Sequence, residues 1–246
     1  MSQPVAPSTP LHIDPDRTAL NIAKNTATSY GLTLVAAFPP PPAICDSIQR
    51  LQRQLERWLP ERFTWYERDW LHVTLLALLR GRYREQPPLQ AAELPADMTG
   101  FARTLDDVAA RIEPFFLNLS GLHVSRGGLV LVNTTAALPI QDYLADALRL
   151  YPEIDRPRHP ERLHVTIGYL NSPYPFQDEA EQARFSGHFT ELAGVDVGAM
   201  VVDRIWLVHY ANRRLSQVVG KLALHLGRSI PVSGEDLLRD LDIGIT

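Results

Sequence analysis

Two short stretches of this chain carry the same four residues. Leu71-His72-Val73-Thr74 recurs as Leu163-His164-Val165-Thr166, with the histidines 92 positions apart (164 − 72). In an extended strand, residues i and i+2 point to the same side, about 7 Å apart. Each copy therefore offers a histidine and a threonine on one face and Leu and Val on the other. The apolar face is what a sheet needs for its core; an alternating His and Thr face belongs in water or in a site. With 8 histidines in the chain and threonine at roughly one position in twenty, about half of one His-x-Thr is expected by chance. Two copies with the same flanking Leu and Val exceed that expectation.

Two imidazoles facing one phosphate suit a specific reaction. Hydrolysis of a cyclic phosphodiester needs water deprotonated on one side and an alkoxide leaving group protonated on the other. Histidine titrates near neutrality, so one ring can serve as base while the other serves as acid. Threonine hydroxyls can donate to the non-bridging oxygens, where charge shifts in the transition state. The same four groups make a poor zinc set, and there is no His-Glu-x-x-His segment. No metal and no cofactor are expected.

The elements around the motifs alternate. Residues 1–28 hold Pro, Ser, Thr and Asn without an apolar period and are expected to form a flexible arm. Gly31–Phe38 reads as a buried strand ended by the prolines at 39–42. Ile44, Ile48, Leu51, Leu55 and Trp58 recur at helical spacing. Phe63–Tyr66 and Trp70–Leu79 read as strands joined by a turn at 67–69, the second carrying the first motif. A helix follows, with Phe101, Leu105, Val108 and Ile112 on one face. Phe115–Val124 and Leu129–Thr134 form a hairpin around Gly127-Gly128. A third helix spans about 139–150, the second motif strand Arg162–Leu170, and a fourth helix about 178–192. Two long strands, Ala199–Tyr210 and Leu215–Leu226, lead to a 227–246 tail with one short helix at about 235–241. The pattern is α+β and bilobal, a duplicated unit of about 90 residues with mostly antiparallel strands and outer helices.

Bulk properties set the class. A length of 246 residues, 45% hydrophobic and 21% charged, suits one large domain or two small lobes. No apolar run approaches the roughly 20 residues of a membrane span, and no secretory signal is expected. The single cysteine, Cys45, cannot form an internal disulfide, so a cytoplasmic location and a monomer are the expectation. A net charge of −4 argues against coating long nucleic acid with a broad basic face, but leaves room for a small anion in a local basic pocket. Lysine occurs only at 24 and 221; the remaining positive charge is arginine, which suits phosphate.

The paired His-x-Thr strands, their spacing and the order of elements resemble the two-histidine phosphoesterase superfamily. It includes 2′-5′ RNA ligase-like proteins and RNA 2′,3′-cyclic phosphodiesterases. The resemblance spans roughly residues 30–226. It implies two sheets flanking a water-filled central cleft, with His72 as general acid, His164 as general base, and Thr74 and Thr166 on the phosphate. It also implies a phosphate contact from Tyr169, three residues beyond Thr166. Strand parity opposes that contact unless a bulge at Gly168 resets the alternation.

Other residues compete for roles. Leu122-His123-Val124-Ser125 is a near-third copy and is read as a hairpin strand outside the site. Arg80, Arg82, Arg158 and Arg162 flank the motifs. Each alone reads as solvated loop charge, but together they would form a positive mouth for a phosphorylated substrate. Tyr83, Tyr169, Tyr174, Trp206 and Tyr210 are candidates to stack on a base, although such residues more often pack in cores. The expected activity is metal-independent hydrolysis of a 2′,3′-cyclic phosphate of RNA or a nucleotide, with 2′-5′ linkages or reverse 2′-5′ ligation as variants. The expected partner is a nucleotide or RNA terminus bearing a cyclic phosphate. The competing reading is a non-catalytic module that holds a nucleotide or RNA end in the same cleft.

Overall fold

The two motif strands are neighbours in a single sheet. A computed structural model describes residues 11–79, 89, 93–134, 137–154 and 163–243. Its nine strands are β1 (Gly31–Ala36), β2 (Phe63–Trp65), β3 (Val73–Leu79), β4 (Phe115–Val124), β5 (Leu129–Thr134), β6 (Leu163–Leu170), β7 (Asp196–Val202), β8 (Arg204–Tyr210) and β9 (Val218–His225). Their order is β7-β4-β5-β6-β3-β1-β8-β9, with β2 also paired to β6. Every pairing is antiparallel. The α+β class holds, but the two expected sheets are one. Its halves meet at β3 and β6 through one residue pair, Val73–Val165.

Among the described residues the six α-helices are α1 (Pro15–Thr26), α2 (Pro42–Trp58), α3 (Met98–Arg111), α4 (Leu138–Ala147), α5 (Glu179–Glu191) and α6 (Gly234–Asp240). Local chemistry sets several of their starts. The side chains of Asp14, Asp97, Asp178 and Ser233 each accept a hydrogen bond from a backbone N–H in the first turn. The buried faces of α2 and α3 carry the apolar residues that the helical spacing predicted. They join one core with Val73, Val165 and the inward residues of both sheet halves.

Three expectations change. Residues 15–26 of the supposed flexible arm form α1. Its inward face is polar, with Thr18 and Asn25 buried, so a search for an apolar period misses it. The short helix expected in the tail is α6, and Leu237, Leu238, Leu241 and Ile243 join the main core. The supposed strand Ala199–Tyr210 is two strands. It breaks at Asp203, and β7 and β8 go to opposite ends of the sheet. Finally, β2 does not pair with β3; it pairs with β6 at Phe63–Leu170, Thr64–Tyr169 and Trp65–Gly168, and residues 68–70 form a 3-10 turn before the motif.

One buried side chain closes the opening left beside the single β3–β6 bridge. Gln52 on α2 is 7% exposed. Its amide donates to the carbonyls of Tyr66 and Ile167, both at 2.9 Å. Truncation would take the Gln52 donor from the Tyr66 carbonyl and one of two donors from the Ile167 carbonyl, which also accepts from the Tyr66 N–H at 3.0 Å, at a cost of about 1–3 kcal/mol. Gln52→Ala should lower stability by that order in chemical denaturation; an unchanged midpoint would show that the contact is dispensable.

Candidate active site

An antiparallel register centred on Val73–Val165 has a direct consequence. It sets His72 across from Thr166 and Thr74 across from His164, related by a local pseudo-twofold axis. Val73 and Val165 are fully buried while the four polar residues are half-buried. All four line one cleft of about 310 Å³. The alternation read from each tetrapeptide is therefore the alternation of the folded strands, and its polar faces converge.

The structure orients His72. Its Nδ1 lies 2.7 Å from the carbonyl oxygen of Trp70, so Nδ1 carries the donated proton and Nε2 remains for the cleft. Burial drives the proton affinity of His72 down to about 4; the Trp70 carbonyl opposes the shift and neighbouring His164 adds to it. The Phe38 ring meets the His72 ring edge-on at 6.0 Å between centroids. In the resting cleft His72 is neutral.

The remaining walls come from residues without a motif. Asn21, Lys24 and Asn25 of α1 line one side. The Asn21 amide donates to the Gly127 carbonyl at 2.8 Å. That approach requires glycine at 127, since a Cβ there would meet the Asn21 amide nitrogen. Asn25 donates to the Asn21 carbonyl and accepts from the Tyr66 hydroxyl at 3.1 Å. Burial pushes the Tyr66 phenol up against the opposing pull of Arg213 and Arg214, leaving a neutral hydroxyl. Arg213 also lines the cleft, and no Asp or Glu is among the described lining residues. The signal for the α1 residues was present in the sequence: Thr18, Asn21 and Asn25 recur at i, i+3 and i+7, after an Asp-Pro helix start.

Other expected residues take different places. The β5–β6 register slips between Leu131–Thr166 and Val130–Gly168, leaving Ile167 as a bulge. Tyr169 then pairs with Leu129, which lines the cleft, yet Tyr169 is 2% exposed and packed in the core. Tyr66, and not Tyr169, reaches the cleft. His123 pairs with Leu131, which pairs with Thr166, so it shares their face two strands away and does not line the cleft. Ser125 holds the hairpin turn by accepting from the Leu129 N–H. Arg80, Arg82, Arg158 and Arg162 lie outside the described residues, as does Tyr83. Tyr210 lines the cleft, Trp206 sits farther along the same face, and Tyr174 is 75% exposed. Among the described residues no cluster of three His, Cys, Asp or Glu side chains is arranged to hold a metal, and no helix is long and apolar enough to cross a membrane.

Sheet order, a pseudo-twofold pair of His-x-Thr strands and a cleft without a carboxylate among its described lining residues define a two-histidine phosphoesterase architecture. The family model described as the 2′-5′ RNA ligase superfamily matches residues 40–214, and the chain belongs to that superfamily. Its fold is similar to that of the protein TT0787 of Thermus thermophilus, at 16% identity and a TM-score of 0.51, covering 80% of this chain and 100% of that one. A structure described as a phosphoesterase aligns at 15% identity and TM-score 0.52, over 80% and 99% of the two chains. E. coli LigT complexed with 3′-AMP aligns at 15% and 0.51, over 80% and 98%. No curated protein matches. Helix α1, which walls the cleft, precedes the matched span.

The state of His72 is open to direct measurement. Its folded proton affinity lies below the ordinary value of 6.5, so the ring protonates only as pH falls toward about 4. An anion in the cleft offsets the burial penalty and must raise that midpoint. In histidine NMR titrations, His72 should titrate well below an exposed histidine, and saturating sulfate should move it upward. A midpoint near the ordinary 6.5 in the free protein would contradict the burial argument.

Proposed function

We propose that the protein is a metal-independent phosphodiesterase that opens a 2′,3′-cyclic phosphate on a nucleotide or RNA end. The observation that carries this reading is the convergence of His72, Thr74, His164 and Thr166 on one cleft about the Val73–Val165 pair. Membership of the 2′-5′ RNA ligase superfamily supports it, and so does the 3′-AMP held by LigT, a protein of the same fold.

The cyclic phosphate lies between the imidazoles, its non-bridging oxygens toward Thr74, Thr166 and the cations Lys24 and Arg213. Water attacks phosphorus as His164 takes its proton. A new P–O bond forms, one ribose P–O bond breaks, and His72 delivers a proton to the departing ribose oxygen. The product is a phosphomonoester. The low proton affinity of His72 fits the acid role once the anionic substrate has charged it, because a weakly held proton is readily given to an alkoxide. The same steps with a 5′-hydroxyl in place of water form a P–O5′ bond as one ribose P–O bond breaks, which is the chemistry of 2′-5′ ligation.

Incubation with 2′,3′-cyclic nucleotides in EDTA should give turnover. His72→Ala and His164→Ala should each lower kcat by about 10²–10⁴-fold, while His123→Ala should leave it nearly intact. Binding of nucleotide without turnover would favour a non-catalytic module. Activity that vanishes with EDTA would sink the metal-free mechanism.

A further inference from the structure

The sheet face that carries Thr74 continues beyond the cleft. Thr74 pairs with Val35, and Val35 pairs with Trp206; directly paired residues share a face. The next register position on that face sets Thr33 beside Val208 and Val208 beside Lys221. At about 4.8 Å per strand, Trp206 stands roughly 10 Å from Thr74. Lys221 is on β9, one strand farther out, but its side chain reaches back toward the motif. The ammonium lies 4.9 Å from the Trp206 ring centroid and 5.5 Å from that of Phe38. The same Phe38 ring stands 6.0 Å from His72. The Lys221 charge is therefore no farther from the His72 ring than those last two distances end to end.

The surroundings of this ammonium point to an anionic ligand. Lys221 is exposed, and among the described residues it forms no ion pair. Two aromatic rings fix where its charge sits without neutralising it. In a chain whose positive charge is almost all arginine, the two lysines, Lys24 and Lys221, flank the His-Thr centre: Lys24 on its wall and Lys221 along its sheet face.

We infer that Lys221, seated on Phe38 and Trp206, forms a second phosphate subsite one nucleotide away from the reacting phosphate. This rests on the proposed activity. When the 2′ and 3′ oxygens both belong to the cyclic phosphate, the 5′ oxygen is the ribose position left to carry another. The subsite therefore takes a 5′-phosphate, either a terminal monophosphate or the internucleotide phosphate of an RNA end. Phe38 links the two sites, since one ring contacts both the catalytic His72 and the subsite cation.

Three substrates separate the possibilities: adenosine 2′,3′-cyclic phosphate, the same nucleotide with a 5′-phosphate, and a diadenosine dinucleotide ending in the cyclic phosphate. Lys221→Gln should raise KM about fivefold to twentyfold for substrates carrying the second phosphate and leave the unphosphorylated one unchanged. The kcat should stay constant, added salt should shrink the effect, and Lys221→Arg should restore most of it. A KM rise confined to the dinucleotide assigns the subsite to an internucleotide phosphate; one confined to the 5′-phosphorylated nucleotide assigns it to a terminal phosphate. Equal changes for all three substrates, or none, would overturn the subsite. If the wild-type protein turns over none of them, the proposed activity fails. Calorimetry with 3′-AMP and adenosine 3′,5′-bisphosphate then decides the subsite. Tighter wild-type binding of the bisphosphate that Lys221→Gln abolishes supports it; equal affinities reject it.

Discussion

The site depends on one backbone pairing, Val73 with Val165. Antiparallel strands that meet there must place each histidine beside the other strand's threonine. Shifting either strand by one residue would turn its His and Thr into the core and its Leu and Val into the cleft. The packing of two fully buried valines thus specifies the geometry of the His-Thr cleft as firmly as any polar contact does. Gln52 supports this junction from α2 by donating to the carbonyls of Tyr66 and Ile167, whose backbones are themselves hydrogen-bonded.

The four central residues were legible because the chemistry and the pleat have the same period of two. The helices α2 and α3 were legible because their apolar residues recur every three or four positions. What was hidden depends on contacts distant in sequence. Two sheets were expected where there is one, because a single residue pair joins the halves. The run 199–210 reads as one apolar strand; only Asp203 interrupts it, and the divergence of β7 and β8 is decided by β4 and β1. Helix α1 turns amides and a hydroxyl inward against backbone carbonyls and Tyr66, so a rule that equates burial with apolar residues passes over it. Tyr169 was misplaced for a related reason. The bulge at Ile167 resets its register, yet its ring packs in the core, and Tyr66 is the tyrosine of that region that lines the cleft.

Charge is distributed against the average of the molecule. The chain is acidic as a whole, yet the described lining of the cleft brings Lys24 and Arg213 together with no carboxylate. The neutral resting state of His72 belongs to the same design. A pocket that kept both imidazoles charged beside these cations would bear their mutual repulsion before substrate arrived. In the proposed reaction the anionic phosphate of the substrate supplies the countercharge.

The break at Asp203 also bears on how the molecule is assembled. The chain passes from β7, at one end of the strand order, into β8, next to last at the other, with Asp203 alone between them, while α2, which precedes β3 in sequence, packs against β6 and β7. The half β3-β1-β8-β9 is therefore woven from early and late stretches of the polypeptide, whereas β4, β5, β6 and β7 follow one another along residues 115–202, with the early strand β2 added beside β6. A nascent chain lacks β8 and β9 until residues 204–225 have been made, so β1 keeps an open edge through most of its synthesis. The symmetry visible around the two histidines is a symmetry of the finished object, and the route to it is asymmetric.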